Sequence, residues 1–328
     1  MLPSLTACCL VLISILVVAC AATPDGEPSI EDGPGASDVP RELRVRVGKA
    51  DLYVRELGVG PLAIVLHGGP DFDCRYLLPE MDRLAERFRL VYYDQRGRGR
   101  SASGVRAQDV SLESEIADLD AVRQHFGPGP VTLVGHSWGS VLALEYALRH
   151  PEHVAQLVLM NPAPASRADF LAYVQSRNES AADDLELKRS IAATPAYQQG
   201  DPQTVTAYYR AHFRSTFRRP EDLERILPRF AEGLSADGVL LARAVEERLL
   251  AETWLREDYD LAPKLMGLDM PAVVVWSERD FIPRSCAEHI SDALPNARWV
   301  VLEDCGHFAY FERPDALPDL IEINAAGS

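Results

Sequence analysis

Residues 133 to 141 read Leu-Val-Gly-His-Ser-Trp-Gly-Ser-Val, a G-x-S-x-G pentapeptide centred on Ser137 that follows an apolar β-type run and opens an amphipathic helical one. In that context the serine stands on a sharp strand-to-helix turn, with its hydroxyl exposed at the sheet edge. Gly135 and Gly139 suit the turn because side chains beside it would collide with the neighbouring backbone. A serine hydroxyl is a poor nucleophile at neutral pH until a general base takes its proton, and a histidine base needs a carboxylate to fix its tautomer. Asp280 directly follows Val273-Val274-Val275-Trp276-Ser277-Glu278-Arg279, at the end of a predicted strand, and His307 lies in Asp304-Cys305-Gly306-His307-Phe308, just past a strand ending at Leu302. Ser137, His307 and Asp280 are thus the candidate nucleophile, base and orienting acid of an acyl-transfer site. Glu278 is a competing carboxylate, and Asp280 could instead cap a helix starting near Pro283. His289 falls inside a helical pattern, while His125, His150 and His153 read as surface or structural groups.

Acyl transfer also needs two preorganised N–H donors for the tetrahedral oxyanion, each worth about 3 kcal/mol of barrier height. The amide of Trp138, next to the nucleophile, is one candidate. The other comes from His67-Gly68-Gly69-Pro70, where small residues let the backbone approach the substrate oxygen; Gly69 is favoured, with Gly68 as the alternative. His67 reads as a structural hydrogen-bonding group beneath that loop.

The positioning elements follow from periodicity. Alternating segments 43–47 and 52–57 predict an antiparallel edge hairpin. Short apolar runs at 62–66, 90–93, 131–134, 154–160, 272–276 and 298–302 predict strands covered on both faces. Helical patterns at 76–87, 112–126, 138–149 and 284–294 lie between several of them. This alternation predicts an α/β fold with a mostly parallel sheet and right-handed crossovers. It breaks between residues 163 and 270, where charged helical segments such as 168–177, 204–217, 220–231 and 237–255 predict a helical cap inserted after the sixth strand and roofing the catalytic edge. The core is then 41–162 plus 271–328.

Composition narrows the function. The 328 residues are 47% hydrophobic and carry a formal net charge of −16, which supports a packed core and argues against a phosphate-backbone partner such as nucleic acid. No metal or organic cofactor is called for, and the cysteines lack metal-ligand spacing. The apolar stretch Leu10 to Ala19 has the length of a signal-peptide core, and Val17-Val18-Ala19-Cys20 resembles a bacterial lipobox, although the segment before it lacks Lys and Arg. Residues 1–20 are therefore expected to be a signal peptide with Cys20 lipidated, an ordinary cleaved signal being the alternative. Residues 21–40, rich in Pro, Gly and acid, read as a disordered linker. The expected location is the cell envelope, anchored through Cys20, or a secreted or periplasmic space. Cys74, Cys286 and Cys305 remain; Cys286 and Cys305 are both expected on loops at the catalytic face and could pair, three free thiols being the default.

Four segments together resemble the proline iminopeptidase branch of the α/β-hydrolase superfamily: His67-Gly68-Gly69-Pro70, Asp94-Gln95-Arg96-Gly97-Arg98-Gly99-Arg100-Ser101, Gly135-His136-Ser137-Trp138-Gly139-Ser140 running on to Glu152, and Gly306-His307-Phe308. The resemblance implies an α/β-hydrolase fold with an eight-stranded sheet, a Ser137–His307–Asp280 triad, and an Asp94 loop that braces the nucleophile loop. It further implies an aminopeptidase acting on small peptides or amides with N-terminal proline, with an esterase or lactonase as the alternative and a non-catalytic surface binding protein as a remote one. Two positions depart from the family pattern. Asp71 stands where a further glycine is usual, placing a side chain beside the oxyanion loop. The family holds its substrate's ammonium with cap glutamates and a tryptophan-rich segment, whereas this cap has only Trp254. Its acids Glu179, Asp183, Asp184, Glu186, Glu232, Glu246 and Glu247 are all candidates.

Overall fold

The computed structural model describes residues 39–321. The predicted signal segment with Cys20, the linker up to residue 38, and residues 322–328 lie outside the described residues. Eight strands form one sheet: β1 (Arg41–Val47), β2 (Ala50–Leu57), β3 (Leu62–Leu66), β4 (Arg89–Tyr93), β5 (Val131–His136), β6 (Val154–Met160), β7 (Ala272–Ser277) and β8 (Ala297–Leu302). Their order is β1-β2-β4-β3-β5-β6-β7-β8. The β1–β2 hairpin is antiparallel and β2 joins β4 antiparallel; β4, β3, β5, β6, β7 and β8 run parallel.

Parallel strands need crossovers, and helices supply several: α1 (Leu112–Phe126) before β5, α2 (Trp138–Arg149) after it and α10 (Arg284–Ala293) before β8. Between β6 and β7 the chain inserts α3 (Arg167–Ser180), α4 (Ala182–Ala192), α5 (Pro195–Gln198), α6 (Pro202–Phe213), α7 (Pro220–Ala231), α8 (Ala236–Glu252) and α9 (Ala262–Leu265). Short helices α11 (Ala309–Glu312) and α12 (Leu317–Leu320) follow β8. Alternate strand residues feed two apolar layers, Ile64 and Leu66 on one face and Ala63 and Val65 on the other, as the two-residue side-chain period requires. The second layer continues into Phe213, Ile226 and Phe230 of the inserted helices, so the insertion shares the core's packing.

Three expectations need correction. The 76–87 segment is not an α-helix but two 3₁₀ turns, Cys74–Leu77 and Glu80–Glu86. Pro79 divides them, and Leu78 before it is extended at ψ 149°, since the proline ring disfavours α geometry in the preceding residue. β8 is an edge strand, and of its residues only Leu302 is buried, so it is not covered like the central strands. Cys286 sits in the first turn of α10 rather than on a loop, and Cys74, Cys286 and Cys305 are all free and buried.

Candidate active site

β5 ends directly in α2, and Ser137 between them takes φ 54°, ψ −120°, a strained region that costs about 1–3 kcal/mol and persists only where the surroundings impose it. Ser137 N–H donates to Met160 O at 3.1 Å, and Ala163 and Ser140 N–H donate back to Ser137 O at 3.2 and 2.9 Å. The flanking glycines permit the approach. A Cβ on Gly135 would lie 2.5 Å from Gly139 O, and one on Gly139 would lie 2.2 Å from Leu66 O of β3.

His307 follows β8, and its Nδ1 lies 2.8 Å from Asp280 Oδ1, which follows β7. Both side chains are buried, at 3% and 0% exposure. Asp280 is held from two further sides: Ile282 N–H donates to Oδ1 at 2.9 Å, and Asn161 Nδ2 donates to Oδ2 at 2.7 Å. The competing Glu278 instead accepts from Asp304 N–H at 2.9 Å. The loop carrying His307 is tied to the inserted helices by Glu312, whose carboxylate accepts from Gly306 N–H at 2.6 Å and Arg218 N–H at 2.8 Å.

The loop after β3 is fixed by its neighbours. His67 is fully buried; Gln95 N–H donates to its Nε2 at 3.0 Å, and burial lowers its pKa to about 3. It is therefore a neutral structural group. Asp94 accepts from Cys74 N–H at 3.1 Å and Arg100 N–H at 2.9 Å, and Arg98 forms a wholly buried pair with Glu115 at 2.5 Å. The Asp94 loop thus braces the His67 loop by hydrogen bonds, rather than the serine turn that the resemblance implies. Gly68 N–H donates to Tyr76 Oη at 2.6 Å, so it is already engaged. Gly69, at φ 47°, has no acceptor for its N–H among the described residues, and neither has Trp138.

Ser137, His307, Gly69 and Trp138 all line one cavity of about 280 Å³ beneath the inserted helices. Asp280 lies behind His307. Of the cap acids, Glu246 lines this cavity and Glu232 lines a neighbouring one of about 100 Å³; Asp71 borders both. Trp254 also lines the larger cavity, but its Nε1–H donates to Pro164 O at 2.7 Å and its ring stacks on Phe170 with centroids 4.8 Å apart. Sequence reasoning missed Asn161, Tyr76, Lys188, Tyr209, His212 and Arg243. The last four are cavity residues on amphipathic cap helices, where nothing in the periodicity separates a cavity-facing position from a core-facing one. Asn161 carried a weak signal, as a polar residue directly after a buried strand. Among the described residues, one group has metal-ligand proximity: His150, Glu152 and His153, with ligand atoms within 4.8 Å of one another. It lies at the end of α2, and none of its members lines the cavity. No helix among the described residues is long and apolar enough to cross a membrane.

Residues 61–314 match the family model described as the alpha/beta hydrolase fold. The chain is 30% identical to a proline iminopeptidase of Neisseria gonorrhoeae over 283 residues, covering 80% of this chain and 88% of that protein. It is 26% identical to the crystal structure of a proline iminopeptidase-related protein from Thermus thermophilus, with a TM-score of 0.63 and 86% and 95% of the two chains covered. The crystal structure of a proline iminopeptidase from Mycobacterium smegmatis has the same fold at a TM-score of 0.63 and 21% identity, over 85% of this chain and 95% of that one. This chain belongs to the alpha/beta hydrolase family, and within it the family-level likeness is to the proline iminopeptidases.

Proposed function

We propose that the protein is a serine hydrolase working through an acyl-enzyme, with Ser137 as nucleophile, His307 as base, Asp280 as orienting acid, and the amides of Gly69 and Trp138 as oxyanion donors. The observation that carries this reading is the His307–Asp280 contact of 2.8 Å at the wall of a cavity lined by Ser137 and the two unengaged amides. A carboxylate at Nδ1 keeps the proton there and leaves Nε2 with a lone pair for the serine hydroxyl. Ser137 Oγ attacks the substrate carbonyl while His307 takes its proton. The carbonyl π electrons move to oxygen, where two N–H donors meet the charge. Collapse expels the leaving amine or alcohol, which takes the proton from His307. Water activated by the same histidine then releases the acid and restores the serine.

Within that chemistry we infer an aminopeptidase acting on small peptides or amides with N-terminal proline. It is supported by the 30% identity to a proline iminopeptidase and by Glu246 in the cavity. Ester or lactone hydrolysis is the second reading, favoured by the aromatic walls of Phe72, Tyr173, Phe213 and Phe281 and by the engaged N–H of Trp254. Initial rates on prolyl and alanyl arylamides, their N-acylated forms and short-chain aryl esters separate the two. Turnover of prolyl arylamide that vanishes on N-acylation supports the aminopeptidase; ester turnover alone moves the assignment to esterase. Ser137→Ala is expected to abolish both activities and fluorophosphonate labelling while retaining the wild-type circular dichroism spectrum. Residual turnover at the wild-type rate would overturn the nucleophile assignment. We further propose that Cys20 carries the lipid that holds the enzyme at the envelope; an unmodified cysteine in mass spectra of the native N-terminus would refute it.

A further inference from the structure

Three cations surround the catalytic cavity, and the mechanism above uses none of them. Lys188 on α4 and Arg243 on α8 line it, while Arg177 on α3 packs on its Phe281 wall, with the guanidinium 5.2 Å above that ring. Among the described residues none of the three forms an ion pair. Arg177 donates from Nη2 to His212 O at 3.0 Å and Arg243 from Nη1 to Tyr197 O at 2.7 Å, so each has a backbone carbonyl as its partner. The acids of the cavity do not cancel this charge. Asp71 accepts from Tyr209 Oη at 2.7 Å, and burial together with Asp71 pushes Glu246 up to about 8, which leaves it mostly protonated at pH 7.

Lys188 is the best placed of the three to meet a ligand. Its Nζ lies 3.1 Å from His212 Nδ1, and burial, with Lys188 and Arg177 nearby, holds that imidazole far below the ordinary histidine range. The ring is therefore neutral, and Nδ1 is the acceptor, because an ammonium has three N–H donors and nothing to accept with. The other two N–H groups meet no acceptor among the described residues; the Tyr208 ring lies 5.3 Å from Nζ. Tyr208 packs 4.7 Å from Tyr197, whose ring carries Arg243 at 3.6 Å, so one aromatic wall joins the two cations. In the other direction His212 is 5.8 Å from Phe281, and Phe281 is 4.3 Å from His307, centroid to centroid. Two rings thus separate Lys188 from the base. His307 hands its proton to the departing amine or alcohol, so the leaving group lies on that side of the cavity.

We propose that Lys188 is the anion-binding group of the catalytic cavity, taking a carboxylate carried by the leaving group, with Arg243 and Arg177 supplying the surrounding positive field. The proposal rests on the acyl-transfer reading above. A half-buried ammonium with two donors to offer holds a carboxylate through charge-assisted hydrogen bonds, about twice as strong as neutral ones, and the partly desolvated cavity strengthens the attraction. His212 is the positioning residue, since its lone pair fixes the ammonium while its neutral ring adds no competing charge. The substrate class is then a short peptide ending in a free carboxylate, or an ester whose alcohol bears one. A chain too long to place its terminus at Lys188 loses that contact, so the site selects by length as well as by charge.

The test is kcat/KM of the full-length chain on two series. One is prolyl peptides of increasing length, each as the free acid and as the C-terminal amide; at about 3.3–3.6 Å per residue the series samples the spacing to Lys188. The other is the acetyl esters of 4-hydroxybenzoate and 4-hydroxybenzamide, whose leaving groups differ in that one charge. We expect the acid to be preferred over its amide by at least about tenfold at one length or more, the preference to vanish in Lys188→Gln, and to return in Lys188→Arg, with circular dichroism checking each fold. Equal rates on acid and amide in both series would overturn the carboxylate subsite and leave the acyl-transfer reading standing. An acid preference that Lys188→Gln retains would overturn Lys188 as the group that holds it. A preference seen on the esters alone and lost in Lys188→Gln would sustain the subsite while refuting the aminopeptidase reading. No turnover of either series would overturn the acyl-transfer reading and the subsite with it.

Discussion

A carboxylate that orients a histidine must itself be held, and Asp280 shows how much of that holding comes from one residue outside the triad. Asn161 takes φ 47°, a left-handed geometry that asparagine tolerates better than other non-glycine residues. Its own N–H donates to Val275 O at 2.8 Å, which aims Nδ2 at Asp280 Oδ2. Asp280→Asn is expected to lower kcat by about 10⁴-fold with little change in KM, because the amide favours the wrong histidine tautomer. Asn161→Ala removes one donor and adds backbone strain of about 1 kcal/mol; a kcat loss of roughly tenfold at constant KM is expected. Steady-state kinetics on whichever substrate the wild type prefers decides this. A raised KM with intact kcat would mean that Asn161 binds substrate rather than positioning the acid.

At the scale of elements, the loop after β3, the serine turn and the histidine loop are joined by one buried chain of hydrogen bonds. Gly68 N–H donates to Tyr76 Oη, Tyr76 Oη lies 2.8 Å from His136 Nδ1, and His136 Nε2 lies 3.0 Å from His307 O. Burial holds His136 far below the ordinary histidine range, so the ring is neutral. The network then assigns the proton to Nε2, donating to His307 O, with Nδ1 accepting from the tyrosine. Tyr76→Phe leaves a buried N–H and a buried ring nitrogen unpartnered, at about 1–3 kcal/mol each. A lowered urea midpoint and a lowered kcat are expected together; a stability loss with kcat unchanged would show that the chain serves the fold alone. Gly139→Ala forces α2 away from β3, since the new methyl meets a backbone oxygen. Overpacking of this kind costs about 3 kcal/mol or more where nothing can give, and the melting temperature should fall accordingly.

For the whole molecule, buried ionisable groups of both kinds set the pH range of stability. His67 is lowered to about 3, and His136 and His212 are also lowered, all chiefly by burial. Their contribution is complete above the unfolded histidine value near 6.5 and is lost as pH falls through the folded values. Asp118, Asp73 and Glu246 are raised, to about 6, 7 and 8, again chiefly by burial. Their folded forms hold protons that the unfolded chain has released, so their contribution is complete below about pH 4 and is lost as pH rises through those values. The opposing slopes overlap between about pH 4 and 6.5. Stability should therefore be greatest in mildly acidic solution and decline between pH 7 and 8. Urea midpoints across pH 4 to 9 test this, and Glu246→Gln should flatten the alkaline decline.

Local chemistry makes the architecture and the reacting residues readable from the chain alone. Alternating segments locate β1 and β2 and short apolar runs locate the other six strands, to within two residues at each end, because strand side chains alternate between faces and a strand covered on both needs a continuous apolar run. The serine turn is legible because only glycine fits where α2 approaches β3, and Asp280 and His307 because strand-end loops carry them. The 76–87 segment misleads, since an apolar period does not register that Pro79 interrupts the backbone. Only tertiary structure decided which cap acid faces the cavity, that Gly68 is engaged and Gly69 is not, and that Asn161, Tyr76 and Asp71 meet partners far along the chain. Those contacts depend on how elements distant in sequence pack together, and no local period or motif encodes that distance.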